Sequence, residues 1–109
     1  MPTVDVSGLN EKEKDVKTRL RKEIQEYFAA TLHIKKSSTK VAFIEDDTIS
    51  DQEHVMVRLY SKSFTDMPQG LREQICDDIV TILESAAHPF NEAFIVPVMA
   101  MRGRHLKQD

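Results

Sequence analysis

The chain has 109 residues, 40% of them apolar and 30% charged, which is typical of a single globular domain. Its formal net charge of −3 argues against a general nucleic-acid binder, because phosphate contacts require an excess of basic residues. The chain contains no run of roughly 18 apolar residues that would span a membrane and no apolar signal segment, so we expect a cytoplasmic protein with no membrane partner.

The first half of the chain is predicted to form a β-α-β unit. Residues 3–6 (TVDV) alternate and are rich in β-branched side chains, which predicts a short strand. From residue 11, apolar residues recur at the spacing of one helix stripe, namely Val16, Leu20, Ile24, Tyr27 and Phe28. This helix is expected to end near residue 32, and residues 40–45 (KVAFIE) predict the second strand.

The second half repeats this order after an acidic connection at residues 45–53. Residues 54–62 (HVMVRLYSK) predict the third strand, and Pro68 favours the start of a helix. Residues 93–101 (AFIVPVMAM) predict the fourth strand, in which Pro97 favours an edge position or a bulge. The apolar stripe of the second helix is Leu71, Ile75, Ile79, Ile82 and Leu83.

The two halves are related by a constant offset in the sequence. Ile75 follows Leu20 by 55 residues, and the other positions of the two helix stripes match in the same way. The apolar strand positions 41, 43 and 44 recur at 96, 98 and 99. This agreement predicts an internal repeat of about half the chain.

We therefore predict a single domain, residues 1–109, built from repeats at about 2–45 and 55–101 with a short polar tail at 102–109. Parallel strands joined through a helix place that helix on one face of the sheet. The expected fold is α+β, with two tandem β-α-β units forming a four-stranded mixed sheet and two helices on one face.

The opposite face of this sheet has no predicted cover. Met56, Arg58 and Tyr60 alternate onto it from the third strand, and the fourth strand is apolar on both sides. A monomer would expose a sizeable apolar patch, which usually marks an interface. We therefore predict a symmetric homo-oligomer in which the bare sheet faces meet.

Metal and disulfide chemistry are disfavoured. Cys76 is the only cysteine, which excludes internal disulfides and multi-cysteine metal sites. The acidic connection at residues 45–53 lacks the alternating ligands and central glycine of a calcium loop. We expect no metal and no cofactor.

This organisation resembles the tautomerase superfamily, which includes 4-oxalocrotonate tautomerase, 5-carboxymethyl-2-hydroxymuconate isomerase and macrophage migration inhibitory factor. The resemblance rests on Met1-Pro2 opening directly into a strand, on the duplicated β-α-β unit and on chain length, and it spans residues 2–101. Two features depart from the pattern: residues 61–70 hold one glycine where many members are glycine-rich, and the acidic connection is unusual.

The resemblance implies a homotrimer and a cofactor-independent tautomerase or isomerase acting on a small anionic keto-enol substrate. Pro2, freed by removal of Met1, would be the general base and acid. A general base works best when its pKa lies near the working pH, and burial or nearby cations lower the pKa of an amine. Tautomerisation, dehalogenation and decarboxylation all remain open.

Cations are also expected near the proline, because a substrate carboxylate and a developing enolate need positive charge. Arg58 lies in the third strand, where some relatives carry substrate-binding arginines, and arginine offers a bidentate fork. Lys36 and Lys40 flank the start of the second strand, where relatives place a lysine or arginine. Arg102 and Arg104 follow the fourth strand and are weaker candidates.

Two alternative hypotheses stay open at this point. The first is a non-catalytic oligomeric binding protein of the same fold, which retention of Met1 would favour because an acylated proline nitrogen has no usable lone pair. The second is a ferredoxin-like ligand-binding domain, which has the same element order but different strand adjacency.

Overall fold

The computed structural model describes residues 2–44, 54–84 and 90–97. Within these ranges no helix is long and apolar enough to cross a lipid bilayer. In chain order the elements are β1 (Thr3–Ser7), α1 (Lys14–Leu32), a 3₁₀ turn (Lys36–Ser38), β2 (Lys40–Ile44), β3 (His54–Tyr60), α2 (Lys62–Thr65), α3 (Gln69–Glu84) and β4 (Phe90–Val96).

The four strands form one mixed sheet in the order β2-β1-β3-β4. β1 is parallel to β2 and β3 is parallel to β4, whereas β1 and β3 are antiparallel. The predicted α+β fold of two tandem β-α-β units is therefore confirmed. The ferredoxin-like alternative is wrong, because its split β-α-β units would place another strand between β1 and β2.

The hydrophobic core lies between the sheet and the two long helices. Alternate residues of the central strands β1 and β3 face this core, as the period of a strand requires. The fully buried strand and helix side chains of the core are Val4, Val6, Val55, Val57, Leu59, Leu20, Ile24, Phe28, Phe64, Ile75, Ile79 and Leu83. Burying each of them stabilises the fold by roughly 1.5–3 kcal/mol before the entropy of ordering is subtracted.

A glycine, Gly8, directly follows the last residue of β1. Gly8 has φ of 101°, a backbone conformation that residues with a Cβ rarely adopt. A Cβ at this position would also overlap the carbonyl group of His54. Any substitution of Gly8 would therefore disturb the start of β3.

The bounds of β3 and β4 differ from the predicted ones. β3 stops at Tyr60 instead of residue 62, because Ser61 caps the short helix α2 by accepting a hydrogen bond from the Ser63 N–H. Among the described residues β4 runs from Phe90 to Val96 and is followed by Pro97, and residues 98–101 of the predicted strand lie outside the described ranges. β4 is an edge strand, as the proline favours.

The number of residues that separates equivalent strand positions of the two units differs from the 55 residues that separate equivalent helix positions. Val41 is opposite Val4, and Ile95 is opposite Leu59, and both Val41 and Ile95 pack against the core. The predicted offset would have put Val96 on the core face. A shift of one residue moves every side chain of a strand to the other face, so this difference decides which β4 residues are exposed.

One residue of the predicted apolar helix stripes, Leu71, does not lie in the core. Leu71 lies in the first turn of α3 with 43% of its surface exposed. Its N–H donates to the Pro68 carbonyl at 3.1 Å, so the turn that starts the helix holds its backbone while its side chain faces solvent.

A hydrogen bond joins the two long helices. The Tyr27 hydroxyl of α1 donates to Asp78 Oδ2 of α3 at 2.6 Å, and Gln74 Nε2 donates to Asp78 Oδ1 at 2.8 Å. Burial first, and then the Asp78 carboxylate, raise the pKa of Tyr27 well above its usual range. The hydroxyl therefore stays protonated and keeps donating in alkaline solution.

We expect the free energy of unfolding to fall as the pH rises above about 10, the ordinary pKa of a tyrosine. The folded state keeps the Tyr27 proton to higher pH than the unfolded chain, so this stabilisation is complete below the unfolded pKa and is lost as the pH approaches the folded pKa. Urea denaturation at about pH 8 and about pH 11 measures the effect. Tyr27→Phe should lose about 1 kcal/mol at the lower pH and depend less on pH; equal pH dependence in both proteins would contradict the role of Tyr27.

Candidate functional site

Pro2 lies immediately before β1 and is buried. Its carbonyl accepts a hydrogen bond from the Lys40 N–H at 3.1 Å, which begins the pairing of β1 with β2. Proline suits this position because a strand can start with a residue that lacks a backbone donor. Pro2 is thus held at the end of the sheet by its backbone and is not exposed to bulk solvent.

A buried threonine is opposite Pro2 on the β2 side. Thr3 pairs with Lys40, so the same register carried back by one residue places Pro2 opposite Thr39. Thr39 is 1% exposed, and its carbonyl accepts from Gln25 Nε2 of α1 at 3.0 Å. Among the residues that the structure describes, Thr39 Oγ1 has no hydrogen-bond partner.

A buried serine is opposite Pro2 on the β3 side. Thr3 pairs with Tyr60, and one step further along the antiparallel register lies Ser61, which is 6% exposed. The Ser61 hydroxyl is already engaged, since its oxygen lies 2.7 Å from Ser63 Oγ and caps α2. Pro2 therefore sits between two buried hydroxyl side chains, one of which is occupied.

The three predicted substrate-binding cations occupy different positions. Lys40 contacts Pro2 through its backbone, and its side chain is exposed. Lys36 Nζ lies 3.6 Å from Glu26 Oε1 of α1, an exposed pair of the kind that contributes little stability. Arg58 is opposite Asp5 of β1. The structure therefore brings the backbone of Lys40 next to Pro2, whereas within one chain the side chains of Lys40 and Arg58 lie on the other face of the sheet from Pro2.

We call the sheet face away from the helices the open face. Its residues are Thr3, Asp5, Ser7, Lys40, Ala42, Ile44, His54, Met56, Arg58, Tyr60, Glu92, Phe94 and Val96. No element in the described ranges covers it, and Phe94 and Ile44 leave 45% and 39% of their surfaces exposed there. His54 Nε2 lies 2.7 Å from Glu92 Oε2 at one end of this face. The open face thus carries exposed apolar side chains on both edge strands, next to mostly polar side chains on the two central strands.

A groove of about 440 Å³ lies between α3 and the end of β4. Cys76 and Arg72 line it from the helix, and Ile95 and Pro97 from the strand. Burial, followed by the nearby Asp77 carboxylate, raises the pKa of the Cys76 thiol. The thiol is therefore protonated near neutral pH and is a weak nucleophile. The groove was not anticipated from the sequence, and it contains none of the predicted site residues.

Several sequence predictions fall on residues that the structure does not describe. The acidic connection at 45–53 and the candidates Arg102 and Arg104 lie outside the described ranges. Within those ranges, no group of three histidine, cysteine, aspartate or glutamate side chains is placed to hold a metal ion.

Thr39 and Ser61 were not singled out from the sequence. The run containing Thr39 has the composition of a loop, and Ser61 lies in the predicted third strand. The available signal was the pairing of residues 2–4 with residues 39–41, which places a hydroxyl opposite the proline once β1 and β2 are taken as parallel neighbours.

The sequence matches no protein-family model and no curated protein. Solved structures do resemble the fold. A Vibrio cholerae protein of unknown function superposes with a TM-score of 0.72 at 12% identity, over 96% of this chain and 87% of that one.

Two further similar structures belong to proteins whose name or family is known. One is a member of the cis-3-chloroacrylic acid dehalogenase family, with a TM-score of 0.61 at 11% identity over 97% of this chain and 84% of that one. The other is macrophage migration inhibitory factor from Giardia lamblia, with a TM-score of 0.58 at 11% identity over 88% of this chain and 98% of that one. At such low identity these likenesses show the fold alone.

Proposed function

The chain has a tautomerase-like fold, and from this premise we propose that it is a small cofactor-independent tautomerase or isomerase with Pro2 as its general base and acid. The observation that carries the proposal is the burial of Pro2 at the start of β1, anchored to β2 by its own carbonyl. The proposed substrate is a small anionic keto-enol compound, and the proposed location is the cytoplasm.

The proposed chemistry begins with removal of Met1, which turns the Pro2 nitrogen from an amide into a secondary amine. The neutral amine takes a proton from the substrate at one end of its enol or α-keto system and returns it at the other end. An ordinary α-amino group has a pKa of roughly 7.7–8.0, and a proline amine is more basic. Burial disfavours the ammonium form and lowers the pKa towards neutrality, where a general base is most effective. The ring also restricts the direction of the lone pair.

We propose that the cationic side chains bind the substrate and stabilise the negative charge that develops on it during the reaction. Lys40 bonds to Pro2 through its backbone but its side chain lies on the open face, so its ammonium group is proposed to bind the carboxylate of a substrate held by a neighbouring protomer. Lys36 would join it by leaving Glu26, which costs less than about 1 kcal/mol for an exposed pair. Arg58 lies on the open face and is proposed to act on the substrate of a neighbouring protomer.

The experiment that tests this function begins with intact mass, which establishes that Pro2 is the first residue. Ketonisation of phenylenolpyruvate and of 2-hydroxymuconate is then followed spectrophotometrically against the uncatalysed rate. We expect turnover of at least one of the two compounds. A processed, oligomeric protein that accelerates neither would overturn the proposal in favour of a non-catalytic binding protein of the same fold.

We also propose that the protein is a homotrimer assembled through the open face. Phe94 and Leu71 are exposed to nearly the same extent, 45% and 43%, but Phe94 lies on the open face and Leu71 lies on α3. Phe94→Asp should give a monomer, because it would bury a charge in an apolar contact. Leu71→Asp is the matched control and should stay trimeric.

Gel filtration with light scattering distinguishes these outcomes. A wild-type monomer, or a Phe94→Asp variant that remains trimeric, would contradict assembly through this face. Loss of the trimer in both variants would contradict the choice of the open face over α3.

A further inference from the structure

The Thr39 hydroxyl is an unusual feature of the site. Thr39 is 1% exposed, and within the described residues its Oγ1 has no hydrogen-bond partner. Buried polar atoms are nearly always paired, because an unpaired one forfeits its bonds to water without replacement. An unpaired buried hydroxyl beside a candidate catalytic residue therefore calls for a partner that the described residues of the unprocessed chain do not supply.

The pairing of β1 with β2 makes Pro2 the candidate hydrogen-bond partner of the Thr39 hydroxyl. Val4 is opposite Val41, and both lie on the core side of the sheet. Two residues earlier, by the same alternation, Pro2 and Thr39 are opposite each other on that side. In an extended residue the nitrogen and the carbonyl point towards the same neighbouring strand, and the Pro2 carbonyl points to β2. The Pro2 nitrogen is thus directed towards β2, where the ladder places the Ser38 carbonyl in the plane of the sheet and the Thr39 side chain beside it on the core face.

The chemistry of the Pro2 nitrogen explains why it does not donate to Thr39 while Met1 is attached. While Met1 is attached, the Pro2 nitrogen is a tertiary amide and carries no hydrogen. Removal of Met1 would give it one N–H and one lone pair in the neutral form, and two N–H bonds in the ammonium form. A hydroxyl oxygen can accept one of these bonds.

Building on the proposed function, we propose that Thr39 is a positioning residue whose hydroxyl oxygen accepts the N–H of the freed Pro2 amine and leaves the amine lone pair aimed at the substrate. The other hydroxyl beside Pro2, that of Ser61, is engaged with Ser63. The Gln25 amide is engaged with the Thr39 carbonyl, so it holds the Thr39 backbone in place without occupying its side chain.

The charged and titratable side chains around this end of the sheet form the electrostatic environment in which the freed Pro2 amine titrates. Among the described residues of the adjoining elements they include Lys36 of the 3₁₀ turn, Glu26 of α1, Lys40 of β2, Tyr60 of β3 and Lys62 of α2. Thr39→Val leaves all of these groups unchanged, so a change in the titration of Pro2 reports on the hydroxyl itself.

The test uses protein labelled with ¹⁵N-proline and treated with methionine aminopeptidase until intact mass shows Pro2 as the first residue. The chain has four prolines, but only the terminal amine titrates near neutral pH. A hydrogen bond to the amine favours its charged form, so Thr39→Val should lower the Pro2 pKa measured by NMR by about 1 pH unit. Thr39→Ser keeps the hydroxyl and should restore a value close to wild type.

A matched control comes from a threonine far from the proline. Thr18 is exposed on α1, where its Oγ1 donates to the Lys14 carbonyl at 3.0 Å, and Thr18→Val should leave the Pro2 pKa unchanged. Thermal unfolding checks that each variant is folded. A Pro2 pKa that is the same in wild type and Thr39→Val, or that Thr18→Val shifts equally, would overturn the role of Thr39.

This measurement separates the inference from the proposed function, because the pKa is read without turnover. A shift in Thr39→Val with no ketonisation by wild type would support the contact and overturn the function. An unchanged pKa in a protein that turns over substrate would overturn the contact alone. Where turnover is present, Thr39→Val should lower kcat more than it raises KM, since the hydroxyl does not contact the substrate.

Discussion

Replacing Pro2 by alanine is expected to lower kcat/KM for ketonisation by about 10²-fold to 10⁴-fold, the range that a positioned general base contributes. Alanine keeps an amino group but loses the ring, so the lone pair is no longer restricted in direction. The loss should fall mainly on kcat, because the proposed cations that bind the substrate are unchanged. Steady-state kinetics of the processed proteins, with the terminal residue verified by mass, measures the effect.

Two controls separate this chemical role from a structural one. Pro97 is exposed and follows β4, so Pro97→Ala should leave the rate unchanged. A protein with an uncleaved amino-terminal extension keeps the Pro2 ring but has an amide nitrogen, and it should be as inactive as Pro2→Ala. Equal rates for wild type and Pro2→Ala in the same oligomeric state would remove Pro2 from the mechanism.

Truncation of Phe28 is expected to lower the free energy of unfolding by about 3–5 kcal/mol. The side chain is fully buried, and its ring lies 5.9 Å from that of Phe64 and 5.2 Å from that of Tyr27. Phe28→Ala would remove the transfer free energy of the ring and leave a cavity where α1 packs on the sheet and on α2. Aromatic pairs of this kind add to the effect of burial alone.

Leu71 provides the matched control for Phe28. Both residues belong to the apolar stripes predicted from the sequence, but Leu71 is 43% exposed. Leu71→Ala should therefore change the stability by less than about 0.5 kcal/mol. Urea denaturation of the two variants at one pH gives the comparison, and similar losses for both would contradict the burial that separates them.

The assignment of the helices and strands required only local information. Leu20, Ile24 and Phe28 recur at the helix period, and Val55, Val57 and Leu59 alternate at the strand period, so each element type and its buried face follow from the order of residues. The bounds were less accurate where a cap competed with the pattern. Ser61 continues the alternation of β3, but its hydroxyl stabilises the start of α2 instead.

Only part of the candidate site could be predicted from the sequence. Pro2 was recognisable because its chemistry depends on its place after Met1, and Lys40 because it starts a strand that follows the first helix. The position of Arg58 relative to Pro2 could not be predicted from the sequence, since the faces on which their side chains lie depend on how β3 pairs with β1.

The sequence alone determined the order of elements, their apolar faces and the candidate proline, because periodicity and residue chemistry are properties of neighbouring positions. Only the tertiary structure decided which strands are adjacent and in what register, because strand pairing is set by contacts between distant segments. That register places Ile95 instead of Val96 over the core, and it places opposite Pro2 the Thr39 hydroxyl, which has no partner within the described part of the chain. A slip of one residue between β1 and β2 would have turned Thr39 to the open face, since successive side chains of a strand alternate between faces.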